Sequence, residues 1–110
     1  MDYKKLSRVI DMAVLSKEDT GMDKIVFASP KVPGHRPRIK LYSGKYNESN
    51  SAVIFIDGTQ ELWEKSVWLP PKAVLEQAQR WIRINQDTLL KYWNGDIVIT
   101  REFLNALKKI

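Results

Sequence analysis

Three stretches predict an α+β fold. Residues 38–42 (RIKLY) alternate polar and apolar side chains at the two-residue period of a half-buried strand. Residues 52–56 (AVIFI) are apolar on both faces and run into Asp57-Gly58, a hairpin-turn signal because both turn positions need a positive φ. Between Leu69 and Gly95, Val74, Leu75, Ala78, Trp81, Ile82, Leu89, Tyr92 and Trp93 recur at steps of three and four, the spacing of one helix face. In a chain of 110 residues these predict one α+β domain spanning 1–110. Its expected form is a small antiparallel sheet of about four strands, with an N-terminal helix and a C-terminal helical region packed on one face.

Taken in order, residues 3–15 carry Tyr3, Leu6, Val9, Ile10, Ala13 and Val14 as one apolar stripe. That predicts an amphipathic helix with Asp2 as its N-cap. Residues 24–28 (KIVFA) suit a strand, and Ser29 to Pro37, dense in proline and glycine, predicts a loop. In the strand at 38–42, Ile39 and Leu41 point one way and Arg38, Lys40 and Tyr42 the other. A polar loop covers 43–51. Beyond Asp57-Gly58, residues 59–63 return as a strand, and residues 65–69 extend it or form a short further one.

Pro70 and Pro71 suit the first turn of the long helix, and Asn94-Gly95 suits its end. Inside it, Asn85-Gln86-Asp87 is a poor helix interior. Either Asn85 is a buried, hydrogen-bonded core residue, or the helix breaks and Asp87 caps a second one; the composition favours a kink or break. Residues 97–99 read as extended, and Thr100 as the cap of a final helix with Phe103, Leu104 and Leu107 on its apolar edge. Trp81 fits the helix core, while one of Trp63 and Trp68 is expected on the outer face of the sheet.

Hydrophobic residues make up 44% of the chain and charged residues 28%, which excludes disordered and fibrous classes. No stretch reaches the roughly 18–20 apolar residues that span a bilayer, so no membrane association is expected. The apolar part of the N-terminus is interrupted by Asp11 and has no small-residue cleavage site, so it does not read as a signal peptide. Cysteine is absent, which removes disulfides, thiolate ligands and a cysteine nucleophile; a cytoplasmic location fits.

The chemistry of catalysis is sparse. His35 is the only histidine, and alone it cannot build an ordinary zinc site; it reads as an exposed loop residue. Asp57, Glu61 and Glu64 lie near one hairpin and read as a solvated face rather than as an acid–base pair or a Mg²⁺ site. Gly34 and Gly44 are isolated, so there is no phosphate-cradling loop. No catalytic residue, metal or cofactor is expected, and an interaction protein is expected over an enzyme.

Charge supplies the functional candidate. The net charge is +5, but residues 1–24 balance to zero. From Pro30 to Asn47 the chain carries Lys31, Arg36, Arg38, Lys40 and Lys45 and no acidic residue, and Glu48, Asp57, Glu61 and Glu64 follow directly. The expected binding surface is Lys31, His35, Arg36, Arg38, Lys40, Tyr42 and Lys45, with Arg36, Arg38, Lys40 and Tyr42 on one strand face. Such an arm can dock an acidic protein, including the acidic hairpin of a second copy in a homodimer. It can also neutralise nucleic-acid phosphates while Tyr42 stacks a base. A ribonuclease-like toxin using Arg, Lys and Tyr is the third reading.

The long helix also carries a family resemblance. Leu69, Pro70, Lys72, Ala73, Trp81, Ile82, Asn85, Leu89, Leu90, Trp93 and Asn94 form a pattern that resembles the end of the small bacterial domain-of-unknown-function family 4160. The likeness covers residues 24–95. In that family a β-hairpin with a His- and Pro-rich edge comes first; here Gly34 to Lys40 stands in its place, with His35 and Pro37 kept and Arg38 and Lys40 where later histidines would fall. The resemblance implies an α+β fold and a setting in mobile elements or beside toxin–antitoxin-like genes. It also implies that any metal or catalytic role of the family's histidines is lost in this chain.

Overall fold

The computed structural model describes residues 13–44 and 50–110. The expected Asp2 cap, the helix over residues 3–12 and Lys45 lie outside the described residues. A four-stranded antiparallel sheet runs in chain order β1 (Ala13–Leu15), β2 (Val26–Ala28), β3 (Arg38–Tyr42) and β4 (Ser51–Phe55). The helices are α1 (Lys17–Thr20), α2 (Lys72–Asn94) and α3 (Thr100–Ala106). One face of the sheet, through Leu15, Val26, Ala28, Ile39, Leu41 and Ile54, forms the core with Ala78, Trp81, Ile82, Leu89 and Tyr92 of α2. Phe103 of α3 joins it, its ring stacked on Tyr92 with centroids 4.0 Å apart. The α+β expectation holds in these terms.

The first correction falls at β1. Residues 13–15, expected as the end of a helix, pair antiparallel with β2, Ala13 opposite Ala28 and Leu15 opposite Val26. Ala13 and Leu15 are buried and Val14 exposed, a two-residue period that so short an apolar run satisfies as well as a helical one. Pairing with a neighbouring strand outweighs the local pattern. The helix that does form, α1, starts after Ser16, whose backbone N–H and hydroxyl both donate to the Asp19 carboxylate at 2.9 and 3.3 Å.

The hairpin after β4 is wider than the two-residue turn expected. The positive φ values fall on Gly58 and Gln60, not on Asp57 and Gly58. Residues 59–63 and 65–69 are not regular strands either. Leu62 bridges Ile54, Trp63 donates its N–H to the Val53 carbonyl at 2.8 Å, and Trp68 donates to Ser51 at 3.0 Å. Between them the Ser66 hydroxyl accepts the Val53 N–H at 2.9 Å, a side chain standing where a strand would supply a carbonyl. This irregular segment covers the free edge of β4, which would otherwise present unpaired backbone groups. Trp63 is the exposed one of its two tryptophans, and Trp68 packs against the core. Two helix side chains hold the hairpin down: Gln79 donates to the Gln60 carbonyl at 3.0 Å and Gln86 to Ile56 at 2.9 Å.

The third correction concerns Asn85. α2 runs unbroken from Lys72 to Asn94, and Asn85 is buried within it. Its Nδ2 donates to the carbonyl of Trp81 and to that of Lys108, both at 2.9 Å, while its Oδ1 accepts the Lys108 N–H at 2.7 Å. The amide thus pairs with the main chain of residue 108 as a neighbouring strand would, so the polar residue is satisfied without breaking the helix. The same segment is fixed at Ile110, whose N–H donates to Thr20 at 3.0 Å. Gly21, at φ +83°, lies against the Ile110 carbonyl, where a Cβ would collide. In α3, Thr100 is the first helical residue and Ile99 the cap, one position earlier than expected.

Candidate functional site

The basic arm comprises β3 and the loop before it. The loop is tied to the helix layer, because the Lys31 N–H donates to the carbonyl of Trp93 near the end of α2 at 2.8 Å. His35 is exposed and donates its N–H to Val32 at 3.1 Å, closing a turn. β3 then pairs with β4 in a fixed register: Arg38 faces Phe55, Lys40 faces Val53 and Tyr42 faces Ser51. The ladder continues past its formal end, with Ile56 donating to the Pro37 carbonyl at 3.1 Å. One step further, that register sets Arg36 opposite Asp57.

Side chains two residues apart share a face, so Arg36, Arg38 and Lys40 form one column on the side of the sheet away from the core, at roughly 6.5–7 Å steps. Phe55 and Val53 line one flank, and Phe27, opposite Lys40 on β2, lines the other. Arg38 and Lys40 are half-buried. The alkyl stem of Arg38 can lie on this apolar surface while its charge reaches water. Arg38 has no ion pair among the described residues.

Arg36 is engaged within the chain. Its Nε donates to both Asp57 carboxylate oxygens, at 2.8 and 3.0 Å. Its guanidinium carbon lies 4.1 Å from the centre of the Phe55 ring, a cation–π contact. The acidic stretch that follows the arm in sequence therefore meets it in space. Neither the Asp57 nor the Phe55 contact was legible before the strands were paired. The signal that finds them is the β3–β4 register extended by two residues.

Tyr42 requires a correction. It lies in the same alternating column as Arg38 and Lys40, but its side chain is fully buried, so it presents no ring at the surface. The expected surface is thus brought together at Arg36, Arg38 and Lys40, with Lys31 and His35 exposed on the adjoining loop, and Tyr42 is not part of it. Of the hairpin carboxylates, Asp57 serves Arg36 and Glu61 accepts the Thr59 hydroxyl at 3.3 Å. Glu64 is exposed. Among the described residues no group of three or more His, Cys, Asp or Glu could hold a metal ion, and no helix is long and apolar enough to cross a membrane. Comparison with known proteins gives no match to a family model, to a curated protein or to a solved structure.

Proposed function

We propose that this chain is a non-enzymatic interaction protein that receives an acidic segment of another protein on the outer face of β3. The observation that carries this reading is the single column of Arg36, Arg38 and Lys40, one of whose members already holds a carboxylate. Cations at alternate strand positions match acidic side chains along an extended partner, or successive turns of a helical one. Two facts favour protein over single-stranded nucleic acid. Tyr42 is buried, and the Phe55 ring is covered by Arg36, so the aromatic platform that stacks bases is absent from this column. A second copy is the weaker candidate partner, because Asp57, the leading carboxylate of its acidic hairpin, is occupied in its own chain. The ribonuclease-like reading gains nothing from an exposed His35 and a buried Tyr42. The likeness of the helix to family 4160 adds a mobile-element or toxin–antitoxin setting to this proposal, and a cytoplasmic location goes with it.

The test is fluorescence anisotropy with a glutamate-rich peptide of about eight residues, enough to span the arm. A thymidine oligonucleotide of similar length and charge runs in parallel. The peptide should bind, more weakly as salt rises. Reversing Arg38 and Lys40 to Glu should weaken it by about tenfold or more, at roughly fivefold per charge. Preference for the oligonucleotide would transfer the arm to nucleic acid, and equal binding by the reversed variant would remove the arm from the function altogether.

A further inference from the structure

We infer that Asp57 is an internal competitor for the arm, its carboxylate occupying on Arg36 the place that a partner's acidic side chain takes. This rests on the acidic-partner reading and adds how that surface is held in check. The ion pair is built by the register, which sets Asp57 opposite Arg36 at the open end of the β3–β4 ladder. The guanidinium carbon lies 4.1 Å from the centre of the Phe55 ring, and only the Nε of the guanidinium donates to Asp57. Among the described residues its two Nη groups donate to no acceptor, so an incoming carboxylate can make first contact there before it takes the Nε position from Asp57.

The pair is also reachable. Arg36 and Asp57 side chains are 40% and 36% exposed. Ion pairs this wet are weak enough to exchange with a competing carboxylate. Gly58, next to Asp57, adds no bulk, and even a Cβ there would stand 3.7 Å from Nη2. As a partner's acid approaches, Asp57 repels it and competes for the same guanidinium. Binding therefore carries the cost of displacing or crowding Asp57, and an unspecific anion, unable to engage Arg38 and Lys40 as well, gains little. The carboxylate in this way filters for partners that engage the whole column.

The same peptide titration tests this with Asp57→Asn, Glu64→Gln, Arg36→Gln and the Arg36→Gln/Asp57→Asn double variant. Asp57→Asn should tighten binding about three- to fivefold, the range expected for a wet ion pair. Glu64→Gln makes the same change in net charge from an exposed position in the same segment and should stay within about twofold of wild type. In the Arg36→Gln background, Asp57→Asn should lose its effect. Asp57→Ser is a second charge-free variant should Asp57→Asn lower the melting temperature. Equal tightening by Glu64→Gln would reduce the effect to net charge and overturn the inference. So would persistence of the Asp57→Asn effect without Arg36, or no tightening at all. Absence of peptide binding in every variant would overturn the acidic-partner reading with it, whereas binding that Asp57 does not modulate overturns the inference alone.

Discussion

Two polar contacts, one on each side of the sheet, show what burial does to the same kind of chemistry. On the core side the buried Asn85 amide exchanges hydrogen bonds with the main chain of Lys108 at the margin of the core. On the outer side Arg36 holds Asp57 with similar distances but both side chains remain wet. The neutral contact is structural, since the Asn85 amide left alone would keep an unsatisfied group out of water. The charged exposed contact adds little to stability because solvent competes for both groups. For that same reason it can be exchanged for another ligand. The core side should therefore control folding and the outer side binding.

Variants can break or sharpen that contrast. The largest effect should come from Trp81→Ala, which empties the centre of the helix–sheet core and should cost about 3–5 kcal/mol of unfolding free energy in urea titrations. Gly21→Ala comes next. The left-handed backbone there costs of order 1–3 kcal/mol for a residue with a Cβ, and the collision with Ile110 adds to it by dislodging the segment after α3. Asn85→Leu keeps the number of side-chain heavy atoms but abandons the Lys108 N–H and carbonyl. It should lose about 1–3 kcal/mol, and amide exchange at residue 108 should rise more than at residues of α2 away from the site. If Asn85→Leu were as stable as wild type, the amide would be a tolerated passenger and not the reason the helix continues. Arg36→Gln should be smallest, below about 1 kcal/mol, with its consequence read in peptide affinity instead. A large stability loss there would erase the distinction between the two faces.

Some of this was legible in the residues alone. The alternation at 38–42 specified β3 to the residue, and the apolar run at 52–56 specified β4 within one position at each end. Both work because a strand between a core and a second surface leaves a two-residue record. Gly95 ends α2 as expected, whereas the prolines expected in its first turn lie before it, Pro71 capping a helix that starts at Lys72; both limits arise because backbone restrictions at proline and glycine act locally. The column of Arg36, Arg38 and Lys40 follows from the same alternation. Other features depend on partners distant in the chain. Ala13–Leu15 became a strand because β2 was there to pair with it. Residues 61–68 stayed irregular because the Ser66 hydroxyl and the Gln79 and Gln86 amides took over hydrogen bonds that a regular strand or turn would make. Tyr42 kept its place in the column and lost its exposure, because alternation fixes which face a side chain takes and not what covers that face.

The sequence by itself determined an α+β chain, the two central strands, the limits of the long helix and the presence of a basic arm, all of which rest on local periodicity and backbone restriction. Only the tertiary structure decided that α2 is continuous, that Asn85 receives Lys108, and that the arm's Arg36 is already in the grip of Asp57. The two contacts join residues 23 and 21 positions apart, and the free energy of such a contact depends on burial and geometry that no local pattern records.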